Sequence, residues 1–221
     1  MKLVMSTVFL VSLLISAPVS AQMVTPPSSL VDVKELAERV KKGDVSEDAR
    51  IEAIKRLAYR KYKNDIDVLE ALMIASDRGS LKVRWAAVEA IGEVLADAEK
   101  VWLGVVGAVA RWLDASREES PELRSVAAQA LRKIQCTDGY VLYHLEKALD
   151  PELENVDYVR EEAIMTLVSF KTPEALSTLK RALERNETVH RYRIQAIQAG
   201  ISELENKIKD KIPPGDGGSL F

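Results

Sequence analysis

One register, present five times, constrains this chain more than any other feature. In VRWAAVEAIGEVL, residues 83–95, Arg84, Ala87 and Ile91 stand at relative positions 0, +3 and +7. The same register gives Arg50, Ala53 and Leu57; Arg124, Ala127 and Leu131; Arg160, Ala163 and Leu167; and Arg193, Ala196 and Gly200. Only Gly200 breaks the third column. Successive arginines are 34, 40, 36 and 33 residues apart. Periods of that length belong to stacked helical hairpins, each burying its apolar face on its neighbours. The repeat therefore predicts an all-α fold, an α-solenoid of about five helical hairpins.

Each hairpin reads as a first helix, A, and a second helix, B. The expected repeats are residues 31–63, 65–97, 98–136, 138–171 and 173–210, together the repeat domain 31–210. Turn signals separate A from B: Gly43-Asp44, Gly79, Ser120-Pro121 and Asp150-Pro151. Ser46 and Ser120 suit N-caps, whose side-chain oxygen accepts an otherwise unpaired N–H of the first turn. The first B helix is expected to run to about Lys63, and the third A helix from Ala98 to Asp114. No stretch shows the alternation of a strand.

At 100° per residue, positions −1, +3, +4 and +7 share one face of each B helix. Those columns are almost wholly apolar, so this face should pack on helix A and on adjoining repeats. An all-alanine +3 column fits helices that cross closely. The repeated arginine lies within about 40° of the same face, and a buried guanidinium without a partner is costly. Six residues before it stand Asp44, Glu118, Glu154 and Glu187, whereas the second repeat has Arg78 there. The spacing predicts a structural ladder of Arg50, Arg84, Arg124, Arg160 and Arg193 with those acids, each arginine serving its own or an adjoining repeat.

The valine-arginine, alanine, leucine pattern at Val83-Arg84 and Val159-Arg160, with Leu123-Arg124 in the same place, resembles the second helix of HEAT repeats, including their short bacterial variants. The resemblance covers about residues 31–205. It implies a right-handed superhelix with the B helices on its concave side, used as a scaffold or binding surface. Some HEAT-like bacterial proteins are lyases that attach bilin pigments. An acidic chain whose one cysteine, Cys136, lies at a helix end fits that chemistry poorly.

The ends read separately. Residues 1–21 carry positive charge at Met1-Lys2, an apolar run from Leu3 to Ile15, and Val19-Ser20-Ala21, the form of a cleavable signal peptide. Export to a periplasmic or secreted location is the expectation. Residues 22–30, containing Pro26-Pro27, read as a flexible leader, and residues 211–221 as a disordered tail. Removing 21 residues would leave 200 with a formal charge of −4, since Lys2 departs. That balance gives no electrostatic reason to expect nucleic acid. The run Val101 to Leu113 is too short for a membrane span and contains Arg111, so no insertion is expected after signal cleavage.

No motif carries catalysis, and no cofactor or metal is expected. His144 and His190 fall in different repeats without ligand-type neighbours at metal spacing. Function is instead sought on the B-helix surface opposite the core. Positions +1, +5 and +9 there are mostly polar, but Ile51, Tyr59 and Trp85 form an apolar-aromatic patch. Aromatic residues are favoured interface anchors. The predicted site is therefore Ile51, Tyr59 and Trp85, with Lys55, Glu89 and Gln129 setting polarity. It would hold a protein or extended peptide; a structural subunit of a cell-envelope assembly is the alternative.

Overall fold

The computed structural model describes residues 30–42, 45–59, 65–96, 102–186 and 191–209. The predicted signal peptide and tail, nearly all of the predicted leader, Asp44, Glu187 and the side chain of Arg193 lie outside them. The described residues form ten helices and no strand. They are α1 (Leu30–Lys41), α2 (Glu47–Leu57), α3 (Ile66–Arg78), α4 (Leu81–Leu95), α5 (Leu103–Arg111), α6 (Pro121–Ile134), α7 (Gly139–Lys147), α8 (Asp157–Phe170), α9 (Pro173–Asn186) and α10 (Arg191–Lys209). Odd-numbered helices are the A helices and even-numbered ones the B helices.

Local chemistry starts the helices where the turns require. Ser46, Ser80 and Ser120 accept from Ala49, Val83 and Leu123 N–H at 3.3, 3.4 and 3.2 Å. Asp138 does the same for Tyr140 at 2.8 Å, and Pro121 occupies the first turn of α6, where no N–H is missed. Two helices end on a left-handed residue that is not glycine: Gln135 at φ 58° and Lys171 at φ 55°.

The predicted faces are the buried ones. Ala53, Ala87, Ala127 and Ala163, with Leu57, Ile91, Leu131 and Leu167, are at most 1% exposed. The B helices contact one another in sequence, α2 to α4 to α6 to α8 to α10, and each packs on its own A helix. Side-chain absence sets the closeness. A Cβ on Gly92 would lie 2.8 Å from Ala130 Cα, and one on Gly200 2.6 Å from Ile164 Cγ2. In the A layer α1 meets α3, α5 meets α7 and α7 meets α9, but α3 and α5 barely touch. The B layer is therefore the more continuously packed one.

Two boundaries differ from expectation. α2 stops at Leu57: the N–H of Ala58 is shared between Ile54 and Lys55 carbonyls, at 3.0 and 3.3 Å, and the helix closes there. No glycine or proline marks this end. Tyr59 thus leaves the B-helix row and sits half-buried against the core. α5 ends earlier than predicted because its last turn tightens, while residues 98–101 of the predicted helix lie outside the described residues. Trp112, Leu113 and Asp114 N–H groups bond three residues back, to Val109, Ala110 and Arg111, a common way to finish a helix.

Candidate binding surface

The ladder closes in one direction. Each described arginine first holds a carbonyl of its own hairpin. Arg50 Nε donates to Val40 O at 2.7 Å, Arg84 Nε to Ser76 O at 3.2 Å, and Arg124 Nη1 to Glu118 O at 2.8 Å. Arg160 Nη1 donates to Glu154 O. The free side of the guanidinium then reaches forward. Arg84 donates to Glu118 of the next repeat. Arg124 grips Glu154 of the next with both prongs, Nε–Oε2 at 2.6 Å and Nη2–Oε1 at 2.9 Å. Each acid is also aimed by backbone: Ser120 N–H donates to Glu118 at 3.0 Å and Val156 N–H to Glu154 at 2.9 Å. Arg124 is 4% and Glu154 1% exposed, so the fork replaces water with charge-assisted bonds at every available atom.

Around the second repeat the pattern lapses. Arg50 bonds its own hairpin's carbonyl, and at the acid position Arg78 points into solvent, 3.7 Å from its chain neighbour Asp77. Asp157, on α8 itself, takes the remaining Nη2 of Arg160.

On the B-helix surface the predicted residues are spread along three helices and the turn after α2. Ile51 is half-buried against the core, Lys55 exposed, and Trp85 39% exposed. Glu89 and Gln129 are half-buried, and Gln129 donates to Glu162 of the next repeat at 2.9 Å. Lys133 bridges to Glu93 at 2.6 Å, and Arg132 to Glu162 at 3.2 Å. The middle of this face is thus a polar lattice tying α4, α6 and α8 together.

Farther along, the face changes character. Between α8 and α10 lies an open cleft of about 540 Å³ with a floor of Ile164, Met165, Val168, Ala196 and Ala199. Glu161, Ser169, Glu203 and Lys207 form its rim. Met165 is 45% exposed. It occupies the same +5 position as Lys55, Glu89 and Gln129, and is the one apolar member of that row. Sequence reasoning passed over it. Its one apolar entry in a polar row, together with the missing side chain at Gly200, is the signal that points to it.

The outer layer carries its own ionic joints. Lys41 donates to Glu70 at 2.7 Å, and that bond raises the lysine's pKa. Arg181 and Arg185 meet Glu146 at 2.8 and 2.9 Å. Asp114 accepts from Ser116 and from Lys147 Nζ at 2.9 Å. Burial opposes its ionisation, but these donors prevail and lower its pKa to about 2. His144 is 4% exposed, and burial, opposed by Asp114 and reinforced by Lys147, Arg117 and Arg111, lowers its pKa. Between α3 and α5 a cleft of about 700 Å³ opens instead. Among the described residues no three His, Cys, Asp or Glu side chains gather as a metal site, and no helix is long and apolar enough to cross a membrane.

Two layers of antiparallel helices, stacked by repeats that touch only their neighbours, define an α-solenoid. Residues 109–199 match the family model for HEAT repeats. Two solved structures resemble the chain to different degrees. One is a designed armadillo repeat protein in complex with the peptide (KR)4, 19% identical, with a TM-score of 0.55 over 80% of this chain and 81% of that one. The other is a second designed armadillo repeat protein, 19% identical, with a TM-score of 0.49 over 78% and 82%. None of the curated proteins matches the chain in sequence.

Proposed function

We propose that this protein is an exported, non-catalytic scaffold that binds a protein or an extended peptide along its B-helix surface. The observation that carries the reading is the cleft between α8 and α10, where exposed Met165 stands over an apolar floor with a charged rim. A stacked-repeat surface offers such a ligand several neighbouring side-chain seats. Trp85, exposed on the same layer, supplies a second apolar anchor toward the N-terminus. The designed armadillo protein of similar fold holds a peptide, which lends the reading its precedent. The signal-like pattern of residues 1–21 supports export.

The test is site-specific photocrosslinking in intact cells, with a photoreactive residue at Met165, at Trp85, or at exposed Glu38 on α1. A discrete adduct at Met165 and Trp85 but not Glu38 is expected. Equal labelling at all three positions, or none from a folded protein, would refute surface-specific binding. Mass analysis of the mature N-terminus checks export separately, with Gln22 as the expected first residue.

A further inference from the structure

The second cleft, on the outer layer, asks for a different ligand. Its walls are Met73, Ile74, Asp77 and Arg78 of α3 and Ala108, Arg111 and Trp112 at the end of α5; Arg84, Arg117 and Glu118 complete it. Four arginines face two acids there, an excess of two positive charges on a chain whose formal net charge is −3. Arg84 and Glu118 are already engaged with each other. Arg111 and Arg117 have no carboxylate within 4.0 Å among the described residues, and Arg78 has only its exposed neighbour Asp77.

This concentration of positive charge traces to the repeat itself. Arg78 stands where Glu118 and Glu154 stand in the third and fourth repeats, so one substitution removes an acid from the ladder and adds a cation to the cleft. Ordinary helix-end neutralisation accounts for part of it, because Arg78 and Arg111 lie in the last turns of α3 and α5. It does not account for Arg117, which lies beyond α5, nor for the separation of α3 from α5. The N-termini of α4 and α6 lie at this same end of the hairpins and offset the C-terminal dipoles.

We infer that the α3–α5 cleft docks an acidic peptide segment of a partner protein, its carboxylates held by Arg78, Arg111 and Arg117 and an apolar side chain seated between Met73, Ile74 and Trp112. The three arginines come from the end of α3, the end of α5 and the turn after α5, along the two sides of one open cleft. That spacing suits several carboxylates along a chain better than one compact anion. Guanidinium forks match carboxylates two bonds at a time, as Arg124 already does with Glu154 in this molecule.

Fluorescence anisotropy on the purified protein tests this with a labelled peptide alternating Glu and Leu, and the same peptide with Gln for Glu. The Glu peptide should bind more tightly, weaken as salt is raised, and lose roughly tenfold or more in affinity in R78A/R111A. Arg117→Ala should weaken it further. Circular dichroism melting confirms that each variant is folded; Arg78 and Arg111 are both exposed, so both should be. Leu153→Ala, exposed and outside both clefts, serves as the control and should leave the affinity unchanged. Equal binding of the Gln peptide, or wild-type affinity in R78A/R111A, overturns the inference. So does full displacement by inorganic phosphate at matched charge, which would make this a small-anion site. If Met165→Ala alone abolishes binding, this inference falls while the B-surface reading stands; if only the arginine variants do, the reverse assignment holds for this peptide.

Discussion

The junction between the third and fourth repeats and the junctions around the second are built from one motif with opposite outcomes. At the former, Arg124 and Glu154 close a two-pronged buried pair, Thr166 Oγ1 donates across the helices to Ala128 O at 2.9 Å, and Asp114 meets Lys147 on the outer layer. Around the second repeat, Arg78 replaces the acid, Arg50 bonds its own hairpin's carbonyl, and α3 and α5 stand apart. A conserved-looking arginine is thus not itself the joint. The acid six residues before the next arginine decides whether the preceding repeat's arginine gains a forward partner. The charged opening lies at the second–third junction, where Arg84 and Glu118 do pair, and follows from the separation of α3 and α5.

Removing the acid at the closed junction should break the comparison most severely. Glu154→Ala leaves Arg124 buried with an uncompensated charge, an expected loss of about 3–5 kcal/mol, read by urea denaturation. Arg50→Ala, which takes away one carbonyl bond, should cost about 1 kcal/mol; equal losses would show that the acid contributes nothing special. Next in size is the close crossing in the inner layer. Gly92→Ala drives a methyl to 2.8 Å from Ala130 Cα, and backbone cannot step aside cheaply, so roughly 1–3 kcal/mol should be lost in thermal or chemical melts.

Asp114 gives the comparison a pH axis. Its carboxyl is lowered from an ordinary 3.8 to about 2 in the folded protein. The folded state therefore binds fewer protons than the unfolded one between those values. Its contribution, about 2 kcal/mol, is fully present above pH 4 and is lost as pH falls through about 2. Denaturation of wild type and Asp114→Asn should converge at the acid end and diverge above it; parallel curves would refute the joint. The smallest effect sharpens the contrast. Arg78→Glu restores an acid at the ladder position of the second repeat and should add up to about 1 kcal/mol, detectable as a small rise in melting temperature. A loss would mean that Arg50 cannot reach forward as Arg84 and Arg124 do.

Much of this was legible in the residues. Position arithmetic placed the B helices, their buried columns and the arginine–acid spacing, because helical period and repeat period are properties of sequence alone. The direction of the ladder was not, since the repeat offers Arg124 both an acid six residues before it and the next hairpin's acid 30 residues after it; backbone placement decides between them. Tyr59 misled because α2 ends without a glycine or proline. Both clefts escaped because the distance between two A helices, or the lean of α10 onto α8 at Gly200, depends on crossing geometry rather than on any one residue. Met165 and Arg78 were each visible as the odd member of a column, yet oddness gains meaning only when a cleft is found beside it.

A ladder in which Arg84 and Arg124 reach forward also gives the middle of the chain an order of assembly. As the polypeptide lengthens from its N-terminus, the second and third hairpins emerge with Arg84 and Arg124 holding a carbonyl of their own hairpin, the rest of each guanidinium unsatisfied until the next hairpin arrives. A chain cut before residue 154 keeps Arg124 without its carboxylate, whereas one that begins after Arg124 keeps Glu154 still held by Val156 N–H. Truncation from the two ends is thus unequal: loss of downstream sequence strands a buried cation, and loss of upstream sequence strands an acid that its own backbone still holds.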